Sequence, residues 1–197
     1  MEASLVLCTS NPGKLAELRA LLPDTWRVIG LPELGITEEL PETGDTLEAN
    51  ALQKARYVFE RCGLPCIADD TGLEVDALGG RPGVYSARYA GPARDPGANM
   101  ALLLKELQGV ADRSAGFRTA IAYIEASGEQ VFEGRVRGTI IDAPRGTGGF
   151  GYDPIFLPQM SDLTFAELDP LRKNAISHRG QAVWKLVRWL MEDHRPR

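Results

Sequence analysis

The stretch "SLVLCTSNPGKLAELRALLPDTWRVIGL" (residues 4–31) decides the fold. It opens on an apolar run, "SLVLCTS" (4–10), of the length of a buried strand. Asn11 then offers a capping side chain, and Pro12 suits the first helical position, where no backbone N–H is needed. Leu15, Leu18, Leu21 and Leu22 recur at helical spacing and give the helix one apolar face. "WRVIGL" (26–31) reads as a second strand. A strand, a helix and a strand in this order predict a parallel pair, and so an α/β fold.

The pattern continues in the same class. "DTLEANALQKARYVFERCG" (45–63) predicts a helix, with Asp45 and Glu48 at capping-box spacing and Gly63 at its end. Its core face is Leu47, Ala51, Ala55, Val58, Phe59 and Cys62, while Asn50, Lys54 and Tyr57 fall on a different face. "PCIAD" (65–69) predicts a short strand, and "NMALLLKELQGV" (99–110) a helix. "GFRTAIAYIEA" (116–126) and "QVFEGRVRGTII" (130–141) predict an antiparallel pair with one wet face, joined by Ser127-Gly128-Glu129. "RGQAVWKLVRWLMED" (179–193) predicts a closing amphipathic helix. With no linker-like segment, residues 1–197 read as one domain with two lobes, the hairpin region forming the second.

The chain has 197 residues, is 44% hydrophobic and 25% charged, and carries a net charge of -5. These values allow a sizeable core. They argue against binding a nucleic-acid polymer, which needs a basic face. No stretch approaches the about 20 apolar residues that span a bilayer, and the first residues do not read as a signal peptide. Three cysteines are an odd number in a chain this long, which fits a reducing cytoplasm. Cys62 and Cys66 lack the second Cys/His pair that a zinc site needs.

Three segments carry chemistry. "TSNPGK" (9–14) leaves a strand and opens a helix, a pattern that suits an anion site built from backbone N–H groups and Lys14 and equally a simple capped helix. It matches neither the Walker nor the dinucleotide glycine pattern. Glu38, Glu39, Glu42, Asp45, Asp69 and Asp70 form an acidic set. Magnesium asks for only one or two carboxylates, with waters and substrate phosphates completing its shell, so Glu42 and one aspartate suffice. "RKNAISHRGQA" (172–182) places Lys173, His178 and Arg179 close together as donors. The loop "APRGTGGFGYDPIF" (143–156) interleaves aromatic residues with glycines. His194 lies in the polar tail and reads as bland.

Four blocks now resemble the signature segments of the inosine triphosphate pyrophosphatase family: "TSNPGK" (9–14), "ADDTGLEVDALGGRPGVYSARYAG" (68–91), "GTGGFGYDPIF" (146–156) and "KNAISHRGQA" (173–182). The order matches too, over roughly residues 5 to 190. Ser10 stands where that family commonly has glycine. The resemblance implies an elongated, two-lobed mixed sheet flanked by helices, with the active-site cleft between the lobes. It implies hydrolysis of ITP, dITP and XTP to monophosphate and pyrophosphate with Mg²⁺, by a homodimer. Thr9, Ser10, Asn11 and Lys14 would hold phosphates, and Thr71 would contact substrate. Glu42 and Asp70 would bind the metal, and Asp70 would also be the general base. Phe150, Gly151, Tyr152, Asp153, Lys173, His178 and Arg179 would hold the base and nearby phosphates. A related pyrophosphatase acting on pyrimidine or modified nucleotides is the alternative.

Overall fold

The computed structural model describes residues 3–192. His194 and Asp193, the last residue of the expected closing helix, lie outside the described residues. The opening segment folds as its pattern predicts. Strand β1 (Ala3–Leu7) leads into helix α1 (Pro12–Leu21) and strand β2 (Trp26–Gly30), and β1 and β2 pair in parallel with Leu5 opposite Val28. Asn11 caps α1 by accepting from the Lys14 backbone N–H at 3.0 Å.

Helix α2 (Leu47–Cys62) starts later than expected. Thr46, not Asp45, is its N-cap, because the Thr46 hydroxyl accepts from the Ala49 N–H at 3.1 Å. Gly63 ends it in the left-handed region at φ 63°, a conformation that costs glycine little. Strand β3 (Cys66–Val75) is twice the expected length and runs through both aspartates. The short β4 (Pro82–Gly83) pairs with it antiparallel. Helix α3 (Pro96–Glu106) begins at an Asp95 cap. Strands β5 (Ser114–Glu125) and β6 (Gly128–Ile140) are adjacent, and a two-residue connection leaves only the antiparallel arrangement open to them. The expected wet face exists on β6 alone. β5 is buried along nearly its whole length, as suits a strand with neighbours on both sides. The strand β7 (Phe156–Pro158) and the helices α4 (Pro170–Ile176) and α5 (His178–Glu192) complete the chain. The sheet order is β2-β1-β3-β5-β6-β7, with β4 on β3. Parallel and antiparallel pairs coexist, so the sheet is mixed.

The chain divides into two compact units. Among the described residues, the first comprises 3–70, 119–134 and 179–192, and the second 71–118 and 135–178. Each has its own core. In the first, Leu5 and Leu7 of β1, Leu18 and Leu22, Ile67 and Ile121 pack with Ala182, Val183, Leu186 and Leu190 along one face of α5. In the second, Leu73, Val75, Leu103, Leu107, Phe117, Phe156 and Phe165 form the centre. Full burial of one such side chain is worth about 1.5–3 kcal/mol, so each unit has an apolar reason to stay compact.

Candidate active site

Asp69 and Asp70 are consecutive on β3, so their side chains leave opposite faces of the strand. The partners confirm this. Asp69 is 1% exposed, and its Oδ2 accepts from Arg179 Nε at 3.1 Å and Nη2 at 3.0 Å. Lys14 Nζ stands 3.3 Å from the same oxygen. Burial alone would raise the Asp69 carboxyl pKa, but Lys14, Arg179 and Lys54 together hold it well below the usual carboxylate range. Arg179, at the start of α5, also donates to Glu17 of α1.

Asp70 faces a different set. Its Oδ2 accepts from Asn50 Nδ2 at 3.0 Å, and Lys54 Nζ lies 3.5 Å from its Oδ1. The same ammonium donates to Glu42 Oε1 at 2.6 Å and to the Asp69 carbonyl at 2.8 Å. Lys54 thus joins the two expected metal acids. Burial works to lower the Lys54 pKa, yet the carboxylates of Asp70, Glu42 and Asp69 outweigh it and the pKa is raised. Burial dominates at Lys14, where the pKa is lowered despite Asp69, with Lys54 and Arg179 adding to the effect.

The segment expected to hold phosphates lies at the surface. Ser10 and Asn11 are exposed and Thr9 is half-buried, with the Thr9 hydroxyl accepting from the Asn11 N–H at 3.2 Å. The first N–H groups of α1 and the Lys14 ammonium add positive potential there. Thr71, the residue after Asp70, is half-buried.

Within the second unit, Lys173 donates to Asp153 Oδ2 at 2.6 Å, and the Phe150 N–H reaches the same oxygen at 2.7 Å. The Lys173 ammonium also sits 5.0 Å from the centre of the Phe150 ring. Gly151 takes φ 63° in the turn, and the buried Tyr152 donates its hydroxyl to the Ser86 carbonyl at 2.9 Å. Phe150 itself stays half-exposed. The His178 ring stacks on Phe117, with centroids 4.7 Å apart and planes at 16°. His178 is 3% exposed. So Lys173 and Asp153 meet as an ion pair rather than as two separate ligand groups. Arg179 is spoken for by Asp69 and Glu17, which places it with the carboxylates of the first unit.

Among the described residues, no group of three or more His, Cys, Asp or Glu is arranged to hold a metal unaided. That does not disqualify magnesium, whose demand is one or two carboxylates with substrate phosphates and water. A carboxylate offers about four lone-pair sites, more than one ammonium or amide fills. The charge balance agrees: Lys14, Lys54 and Arg179 face Glu17, Glu42, Asp69 and Asp70, an excess of carboxylate. The residues present therefore fit a hard divalent cation. No helix among those described is long and apolar enough to cross a membrane.

Residues 5–189 match the Ham1 family. The chain belongs to that family. It is 51% identical over 188 residues to a dITP/XTP pyrophosphatase of Porphyromonas gingivalis, covering 95% of this chain and 97% of the other. Against a dITP/XTP pyrophosphatase of Flavobacterium johnsoniae it is 48% identical over 183 residues, covering 93% and 95%. The solved structure of a HAM1 protein from Coxiella burnetii superposes with a TM-score of 0.88 at 42% identity, covering 96% of this chain and 99% of that one. The mixed sheet flanked by helices is thus the Ham1 fold.

Two residues of this Ham1 chain escaped the sequence reading of the site, Asn50 and Lys54. Both were assigned away from the core face of α2, and both are buried, at 1% and 5% exposure. The available signal was their spacing. Four residues apart, they share one face of a helix, and a lysine on a buried face requires carboxylates to meet it. Glu17 was also missed. It occupies the polar side of α1 and gives no local sign of its buried partner.

Proposed function

We propose that this chain hydrolyses dITP, ITP and XTP to the nucleoside monophosphate and pyrophosphate, clearing non-standard purine nucleotides from the pool. The observation that carries the reading is the near-full-length identity to dITP/XTP pyrophosphatases. The residue geometry supports it. Asp70 is the general base for the attacking water: it is a carboxylate on a strand, aligned by Asn50, with the Lys54 ammonium 3.5 Å from its Oδ1. Glu42 and Asp70 would hold Mg²⁺, which would supply charge neutralisation and orientation to the triphosphate. Lys14, the side chains of Thr9, Ser10 and Asn11, and the N–H groups of α1 bind the phosphates, and Lys14 offsets charge on departing pyrophosphate. The hydroxyl of Thr71 adds a substrate contact. Arg179 acts through Asp69, fixing the strand residue before the base.

Base selection falls to Phe150, Gly151, Tyr152, Asp153, Lys173 and His178. Hypoxanthine and xanthine present an acceptor oxygen at position 6, where adenine presents an amine. A buried donor left facing that amine costs about 1–3 kcal/mol, and the Phe150 ring offers a stacking face. We read the working form as a cytoplasmic homodimer, a state that sedimentation measures directly.

The test is product identification with Mg²⁺ and a panel of triphosphates. Monophosphate and pyrophosphate from dITP and XTP, with little from ATP, are expected. Orthophosphate as the product, or a preference for pyrimidine triphosphates, would count against this reading.

A further inference from the structure

All three cysteines belong to the first unit, and none takes part in the chemistry described above. Cys62 is the last residue of α2 and Cys66 the first of β3, with only Gly63, Leu64 and Pro65 between. Their sulfurs are 3.9 Å apart. Both thiols turn toward the Leu64 carbonyl, Cys66 at 3.2 Å and Cys62 at 3.9 Å. Cys62 is half-buried and so within reach of solvent, whereas Cys66 is 0% exposed. Cys8 follows β1 on the strand neighbouring β3, where Val6 lies opposite Cys66. It is 1% exposed.

We propose that Cys62 and Cys66 form a dithiol modification site that low-molecular-weight disulfides oxidise to an intramolecular disulfide. The Cys62 thiolate attacks one sulfur of oxidised glutathione, forming a mixed disulfide and expelling one glutathione thiolate. The Cys66 thiolate then attacks the Cys62 sulfur, closing the protein disulfide and expelling the second. Two protein thiols are oxidised, one glutathione disulfide is reduced to two thiols, and the protons pass from the former to the latter. Accessibility sets the order, since only Cys62 can meet the reagent. Proximity sets the product: closing to a bond length of about 2.05 Å needs a sulfur movement of roughly 2 Å, and the connecting loop contains Gly63. Burial raises the Cys62 thiol, and the contact with Cys8, followed by burial, raises Cys66. The reaction is therefore slow at neutral pH and gains about tenfold per pH unit while the thiols remain protonated.

The experiment treats the whole protein with oxidised glutathione at several pH values, then denatures it, alkylates the remaining thiols and maps peptides by mass. The expected product has one alkylated cysteine, Cys8, and a bond between Cys62 and Cys66 that dithiothreitol reverses. Cys66→Ser should stop at the mixed disulfide on Cys62, Cys62→Ser should not react, and Cys8→Ser should behave as the parent. Three alkylated cysteines, a lasting mixed disulfide on the parent protein, or a Cys8–Cys66 bond would each overturn the proposal.

Discussion

Arg179 holds Asp69 through two nitrogens on a single carboxylate oxygen, Nε at 3.1 Å and Nη2 at 3.0 Å, with both residues 1% exposed. A buried pair of this kind is unforgiving of single-sided loss, because the remaining charge has no water to turn to. The two adjacent aspartates therefore differ in what they support. Asp69→Asn removes the carboxylate that Arg179 and Lys14 share, leaving Glu17 as the remaining acid on Arg179, and should cost about 3–5 kcal/mol of stability. Asp70→Asn keeps an acceptor oxygen for Asn50 and should leave the melting temperature within a few degrees while abolishing turnover. Urea unfolding and pyrophosphate release, measured on both variants, check the contrast. Equal destabilisation would show that the two carboxylates share one role.

The Lys54 ammonium meets Glu42, Asp70 and the Asp69 carbonyl around a single nitrogen. Lys54→Met leaves two carboxylates without their shared cation and frees Asp70 to shift. A misplacement of about 1 Å can cost on the order of a hundredfold in rate, and a loss of at least that size is expected. Lys54→Arg should not restore the rate, because a planar fork cannot reproduce three contacts to a point charge. Steady-state kinetics on dITP for the three proteins decide the matter.

The fold was legible where local chemistry sets it. The β1–α1–β2 opening, the Asn11 cap and the Gly63 terminus follow from adjacent residues and appear as expected. That Glu42 and Asp70 come together, sharing Lys54, was foreshadowed because carboxylates beside an apolar run are conspicuous. What stayed hidden depends on distant partners. β3 looked like a short strand because two charges ended its apolar run; the strand continues because Lys14, Lys54 and Arg179 arrive from three other elements to neutralise them. Lys54 falls off the expected core face for the matching reason: its acids lie 12 and 16 positions away along the chain. Periodicity sees one helix at a time and cannot register such a pair.

Gly72, inside "DDTGLEV", is a strand glycine with a steric reason. A Cβ there would lie 2.6 Å from the Gly83 carbonyl oxygen and 2.9 Å from its carbon, both backbone atoms of the segment paired with β3. The close approach leaves room for hydrogen only. Gly72→Ala should destabilise the protein by about 1–3 kcal/mol, the usual cost of overpacking. Chemical unfolding measures it, and an unchanged midpoint would mean that β4 moves aside freely.

The last prediction concerns alkaline stability, at a group remote in sequence from the acid set. Tyr89 donates its hydroxyl to Glu106, and Arg81 Nη1 lies 3.2 Å from both the phenol oxygen and Glu106 Oε1. Burial, followed by the hydrogen bond and charge of Glu106, pushes the Tyr89 pKa up to about 12. The phenol is thus harder to ionise folded than unfolded, and the unfolded chain loses its proton first. The stabilisation is complete below the unfolded value of about 10, and it is lost as pH rises from there through the folded value. Tyr89→Phe removes this contribution at every pH. The parent should melt above the variant at pH 8, and the gap should narrow steadily between pH 10 and 12. A gap that stays constant over that interval would show that the Tyr89 hydroxyl titrates alike in both states.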